Sequence, residues 1–197
     1  MNMNRFLIFA LFLFLAAPVR VAEAASATQG PINVAADIPS GLTLELTIID
    51  QLSGAVAPSL DFGDLVRVGD EFRSSKFFKV LLKVNSVGDP FELTQNGTPL
   101  TRTGGSETLP SGAYMVQPSF VPGDNSGAAQ PSGSSIGTAG TAVGNKLLFS
   151  DPSGTGGVLT LSYTLSGDPN TGATEKILLN QKSGAYAGTV QFTLTTA

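Results

Sequence analysis

Apolar and polar residues alternate along most of the chain, in runs of about five to ten residues that are separated by turn signals. Period-two alternation is typical of a β-strand with one buried face, and Gly, Pro, Asn and Asp clusters are typical of turns. Short strands at this spacing predict an all-β protein, either a sandwich or a barrel. The Asn96-Gly97 pair predicts a hairpin turn. The predicted strands are residues 32–38, 42–48, 59–65, 76–84, 91–95, 109–116, 146–149, 158–165, 176–180 and 186–195.

The first of these runs is set apart from the others by a Pro39-Ser40-Gly41 break. It has two interpretations, and the pattern alone does not separate them. It is either the first strand of a self-contained sandwich or an arm that completes the sheet of a neighbouring molecule. The residues that would enter the core in either case are Ile32, Val34, Ala36 and Ile38, which alternate with polar Asn33 and Asp37.

Residues 1–24 predict a secretory signal. Arg5 provides the positive charge, residues 6–17 form an uninterrupted apolar run, and Ala22-Glu23-Ala24 fits a cleavage site. The apolar run is shorter than the roughly 20 residues that cross a bilayer as a helix, so we expect cleavage. The predicted organisation is therefore a signal over residues 1–24, an arm over residues 25–39 and a β-domain over residues 40–197.

One stretch, residues 119–145, is rich in Gly, Ser, Ala and Pro and poor in bulky side chains. Such a composition buries little apolar surface, which predicts a long flexible insertion at the surface of the domain. Within it, Val121, Ile136 and Val143 are the candidates for docking on the core.

The composition argues against catalysis, because the chain contains no Cys, His or Trp. Zinc sites of the Cys/His type and nucleophiles activated by His are thereby excluded, and we predict no enzyme activity, no cofactor and no metal site. The predicted mature chain has nine basic and 14 acidic residues, which argues against nucleic-acid binding. Four carboxylates, Asp61, Asp64, Asp70 and Glu71, lack the spacing of a calcium loop, so solvated loop side chains are expected.

Three segments of the chain, one near each end of the predicted mature protein and one between them, resemble segments of known exported proteins. The run Gly184-Ala185-Tyr186-Ala187-Gly188-Thr189-Val190 resembles the closing strand of bacterial fimbrial subunits, and residues 32–46 resemble the start of colonisation-factor-type major subunits. Leu60-Asp61-Phe62-Gly63 is similar to an element of spore coat protein U-like families. The resemblance implies an immunoglobulin-like antiparallel sandwich at the cell surface or in the periplasm. In fimbrial members it also implies an incomplete sheet that accepts the arm of the next subunit.

This resemblance leads to a functional hypothesis: a non-catalytic structural subunit of a bacterial surface filament or extracellular matrix. Its expected partners are further copies of the chain, a periplasmic chaperone and usher, and a host or matrix glycan. The alternative is a self-contained secreted sandwich that binds carbohydrate or a surface protein through residues 119–145. The residues expected to form the core of the closing strand are Tyr186, Val190, Phe192 and Leu194.

Overall fold

A computed structural model describes residues 36–37, 41–120, 130–166 and 172–197, so the predicted signal and most of the arm lie outside the described residues. No helix within these ranges is both long and apolar enough to cross a membrane. A short 3₁₀ turn, Ser111–Ala113, precedes β9. The strands are β1 (Ala36–Asp37), β2 (Thr43–Asp50), β3 (Val56–Ala57), β4 (Val66–Val68), β5 (Glu71–Arg73), β6 (Phe77–Asn85), β7 (Phe91–Gly97), β8 (Thr101–Arg102), β9 (Tyr114–Ser119), β10 (Ser135–Ile136), β11 (Gly140–Thr141), β12 (Gly144–Asp151), β13 (Gly157–Leu165), β14 (Ile177–Leu178), β15 (Tyr186–Ala187) and β16 (Val190–Thr196).

The larger sheet has the strand order β1-β2-β6-β13-β9-β11, and β3 also pairs with β2. Its centre is β6, in which Phe78, Val80, Leu82 and Val84 are buried. The antiparallel register sets Val80 opposite Ile48 on β2 and Leu161 on β13, and Leu82 opposite Leu46 and Leu159. Residues directly opposite each other lie on one face of a sheet, so the alternation in the sequence becomes a continuous apolar surface.

The smaller sheet has the order β10-β12-β7-β16 and packs its apolar face on the larger sheet. Its buried residues include Phe91 and Leu93 on β7 and Phe149 on β12. Buried residues of both sheets belong to one core. Within the smaller sheet, the rings of Phe91 and Phe149 make an edge contact with a centroid separation of 5.6 Å. The prediction of an all-β antiparallel sandwich is confirmed. Two small sheets, β14-β5-β4 and β15-β8, complete the described strands.

The prediction that residues 119–145 form one flexible loop is wrong for residues 130–145. In that part of the chain β10 pairs with β12 and β11 pairs with β9. Ile136 and Val143 pack against the core as expected, and Ala142 is fully buried, whereas Val121 lies outside the described residues. The segment is poor in large side chains because backbones approach closely here: a Cβ on Gly137 would lie 2.0 Å from the Leu147 carbonyl oxygen.

Asn96-Gly97 does not form the predicted hairpin turn, because β7 continues through both residues. Gly97 pairs with Gly144 on one side and with Val190 on the other. A Cβ on Gly97 would lie 1.8 Å from the Ala142 carbonyl oxygen. Glycine therefore permits a close backbone contact inside the sheet and does not provide a turn.

The predicted closing strand, residues 186–195, is divided in two. β15 pairs with β8, and β16 pairs with β7 after a break at residues 188–189. The break transfers the chain from a small two-stranded sheet to the edge of the sandwich, so Tyr186 and Phe192 belong to different sheets.

Candidate functional site

A groove of about 1040 Å³ lies between the two sheets on the side where β2 and β16 are found. Leu46 and Ile48 of β2 line it from the larger sheet, and Val190 and Phe192 of β16 line it from the smaller one. Two connecting segments, residues 59–65 and 181–188, also line it. The lining combines apolar side chains with polar ones, among them Asp61, Gln181 and Lys182. A strand at the edge of a sheet can pair with one additional strand.

The outer edge of β16 has no strand partner within the described residues. The hydrogen bonds to the neighbouring strand fix which groups point outward: Thr98 N donates to Thr189 O at 2.9 Å, and Ala197 N donates to Pro90 O at 2.9 Å. Peptide groups of an antiparallel edge strand face its neighbour at every second residue. By this parity the N–H and C=O groups of Val190, Phe192 and Leu194 point away from β7, toward the outer edge of the sheet.

The side chains expected to form the core of the closing strand are placed as follows. Val190, Phe192 and Leu194 point into the sandwich and are buried. Tyr186 is partly buried at the groove, where its hydroxyl accepts a hydrogen bond from Gln181 Nε2 at 2.8 Å and donates one to the Lys182 carbonyl at 2.7 Å.

The opposite edge, on β2, is partly occupied. β1 pairs with it through Ala36 opposite Leu44 and Asp37 opposite Thr43. β3 pairs with it further along, through Ile48 opposite Ala57. The described part of the arm therefore lies on β2 of its own chain and not on β16. The other three donor candidates, Ile32, Val34 and Ile38, lie outside the described residues.

Charged residues near the groove are held in an exposed ion network. Glu107 contacts both Lys182 and Arg102, the latter with an Nη1 to Oε2 distance of 3.3 Å. Hydrogen bonding from Lys182, followed by a backbone hydrogen bond and by Arg102, lowers the pKa of Glu107 to about 2. Lys182 also lines the groove, so the network lies at one side of it.

The four carboxylates of the predicted loops separate into different environments. Asp61 and Asp64 are exposed beside the groove, and Asp61 Oδ1 accepts a hydrogen bond from Gly63 N at 2.9 Å. Asp70 is exposed and lies 3.6 Å from Lys176 Nζ. The expectation of a solvated side chain is wrong for Glu71, which is buried beside Arg73 and 3.0 Å from Lys176 Nζ. The hydrogen bond from Lys176 is the main cause that lowers the pKa of Glu71, against the opposing effect of burial.

The sequence pattern did not predict which strand edge borders the groove. The alternation predicted donor residues in the arm and inward residues in the closing strand, but it did not predict the edge that would accept a donor strand. The available signal was the inward parity of Val190, Phe192 and Leu194 in the last strand. Which side of that strand stays unpaired depends on the sheet order, which is not a local property of the sequence.

No protein-family model, curated protein or solved structure matches the chain. A function must therefore be inferred from the groove, the edge and the arm.

Proposed function

We propose that the protein is an exported, immunoglobulin-like structural subunit of a bacterial surface filament or extracellular matrix, and that it has no catalytic role. Subunits assemble when the N-terminal arm, residues 25–39, completes a sheet. The observation that carries this proposal is the groove beside the outer edge of β16, an edge that pairs with no strand of the described residues.

The arm and the groove have complementary patterns. A strand laid along β16 would gain main-chain hydrogen bonds from the outward peptide groups, and its alternate side chains would enter the groove. Ile32, Val34, Ala36 and Ile38 have the required spacing of two residues. Burial of a Val or Ile side chain contributes about 1.5–3 kcal/mol. This gain and the main-chain hydrogen bonds of the ladder act together against the roughly 1–2 kcal/mol per residue that ordering of the arm costs.

The contact is heterologous, because the arm and the groove are different surfaces of the same chain. A heterologous contact that does not close into a ring continues as an open chain of subunits, which is a filament. Before assembly, an exposed groove and edge strand favour aggregation. A periplasmic chaperone that covers the groove, and an usher that exchanges it for the arm, fit this requirement.

Removal of the arm is expected to abolish polymerisation. The mature chain and a variant that lacks residues 25–38 are compared by size exclusion and electron microscopy. The intact chain should form filaments, and the truncated chain should remain monomeric and bind the arm added as a peptide. A stable truncated monomer together with an intact chain that never polymerises would contradict the filament, and would favour a self-contained secreted sandwich that binds carbohydrate or a surface protein.

A charged side chain placed inside the groove should also abolish polymerisation, without shortening the chain. Leu46 is partly buried and lines the groove, whereas its neighbour Thr47 pairs with Leu81 on the outer face of the larger sheet. Leu46→Asp should prevent filament formation because a buried unpaired carboxylate is costly, and Thr47→Asp is the matched control. Circular dichroism checks that both variants are folded. Equal filament yields from the two variants would argue against the groove as the acceptor.

A further inference from the structure

We infer that the groove binds an uncharged amphiphile, a small molecule with a long apolar body and one acceptor oxygen, and that the Tyr114 hydroxyl donates a hydrogen bond to that oxygen. This inference goes beyond the proposed function and does not depend on it, because it concerns a small molecule held by a single copy of the chain. Its basis is the position of Tyr114 in the groove, the unpaired state of its hydroxyl and the apolar side chains around it.

Tyr114 lies at the inner end of the groove. It is the first residue of β9, and it lines the groove together with Leu46 and Ile48 of β2. Two strands of the larger sheet, β6 and β13, lie between β9 and β2. Adjacent strands are about 4.8 Å apart, so β9 lies about 14 Å across the sheet from β2. A ligand that extends from β2 to Tyr114 is therefore elongated.

The Tyr114 hydroxyl is a donor without an acceptor. The residue is only 4% exposed, and its ring packs edge-on against Phe62 with a centroid separation of 5.9 Å. Among the described residues its hydroxyl makes no hydrogen bond, whereas the hydroxyls of Tyr163 and Tyr186 both donate to described acceptors. Burial raises the pKa of Tyr114, so the hydroxyl keeps its proton. An acceptor oxygen in the groove would gain a donor that has already lost its hydration.

The side chains around Tyr114 are suited to an apolar body. Leu165 lies opposite Tyr114 on β13, and both residues line the groove. Leu109 and Ile177 line it as well, and all of these residues are buried. Pockets for small ligands commonly combine such an apolar lining with a few placed polar groups. The groove has this combination, with the Tyr114 hydroxyl as a polar group at its inner end.

The charges of the groove favour an uncharged ligand. Among the described residues that line it, the ionisable acidic and basic side chains are Asp61, Asp64 and Lys182. Both aspartates are exposed, and Lys182 already contacts Glu107. A carboxylate placed beside Tyr114 would lose its hydration in exchange for a phenol donor, which is costly. An alcohol or ketone oxygen has a smaller desolvation cost and accepts the same hydrogen bond.

The arm does not supply the acceptor that Tyr114 lacks. Its four inward candidates, Ile32, Val34, Ala36 and Ile38, have hydrocarbon side chains. Insertion of these side chains would leave the hydroxyl unpaired, whereas an oxygen-bearing amphiphile would pair it. The arm and the ligand would compete for the groove, so binding has to be measured on the monomer.

Titration calorimetry with decanol and decanoate, on the monomeric fraction of the full mature chain, tests the site. Decanol should bind, and Tyr114→Phe, which removes only the hydroxyl, should weaken its binding about three- to tenfold. Tyr186→Phe is the matched control, because Tyr186 also lines the groove but its hydroxyl already donates to the Lys182 carbonyl. This control should leave the decanol affinity unchanged. Decanoate at neutral pH should bind more weakly than decanol.

Equal decanol affinities of the wild type and Tyr114→Phe, with circular dichroism showing both to be folded, would overturn the inference. Equal losses in Tyr114→Phe and Tyr186→Phe would also overturn it, and decanoate that binds as tightly as decanol would contradict the uncharged class of ligand. Filaments from a chain that does not bind decanol would overturn this inference and leave the filament proposal in place. Tyr114-dependent binding by a chain that never forms filaments would support the inference and contradict the filament.

Discussion

Replacement of Asp151 by Ala should lower the free energy of unfolding by about 2–3 kcal/mol, because four hydrogen-bond donors, among them the buried Gly156 N, would lose their acceptor together. The Asp151 side chain is fully buried at the end of β12. Its Oδ1 accepts hydrogen bonds from Ser153 N at 2.9 Å and Ser153 Oγ at 2.6 Å. Its Oδ2 accepts from Thr155 N at 2.9 Å and Gly156 N at 3.0 Å. This carboxylate shapes the turn that carries the chain from one sheet to the other.

Replacement of Asp151 should also change how the free energy of unfolding depends on pH. Burial alone would raise the pKa of Asp151, but hydrogen bonds from the Ser153 side chain and from backbone amides outweigh it and hold the pKa below its usual value. A carboxyl with a lowered folded-state pKa stabilises the fold above its unfolded pKa of about 3.9, and this contribution disappears as the pH falls through the folded value. The stability difference between the wild type and Asp151→Asn should therefore be largest near neutral pH and should shrink below about pH 4.

Urea denaturation of the monomer, followed by circular dichroism, measures both effects. Glu92→Ala removes an exposed carboxylate of β7 and is the matched control, with an expected change within about 0.5 kcal/mol. An Asp151→Ala protein as stable as this control would show that the turn is held by other contacts.

The sequence predicted those features of the fold that depend on local alternation. The inward residues of β6 and β13 follow from period two, because successive side chains of a strand point to opposite faces of the sheet. Prediction from the pattern failed where the environment of a residue depends on a neighbour that is distant in the sequence. Gly97 lies inside a strand because the Ala142 carbonyl approaches it, and Glu71 is buried because Lys176 lies beside it. The position of β16 at the edge of the described sheet is likewise a product of strand order, whereas the alternation in residues 32–38 is local and could be read from the sequence.

A second core feature has a large expected effect: a polar bridge between the two sheets, in a chain that has no disulfide to link them. Tyr163 of the larger sheet donates its hydroxyl to Gln95 Oε1 of the smaller sheet at 2.5 Å. Gln95 Nε2 in turn donates to the Ala142 carbonyl at 2.9 Å. All three residues are buried. Burial raises the pKa of the Tyr163 phenol well above its usual value, so the hydroxyl keeps its proton and remains the donor.

Gln95→Leu should lower the free energy of unfolding by about 2–4 kcal/mol, because it leaves both the Tyr163 hydroxyl and the Ala142 carbonyl without a partner. Tyr163→Phe should lower the free energy of unfolding by about 1–3 kcal/mol, since it leaves only Gln95 Oε1 without a hydrogen-bond donor. The double variant should be more stable than Gln95→Leu alone, because it also removes the orphaned hydroxyl, and a double-mutant cycle in urea measures this coupling. Gln117→Leu, at an exposed position of β9, is the control. Additive losses in the cycle would mean that the bridge does not act as a unit.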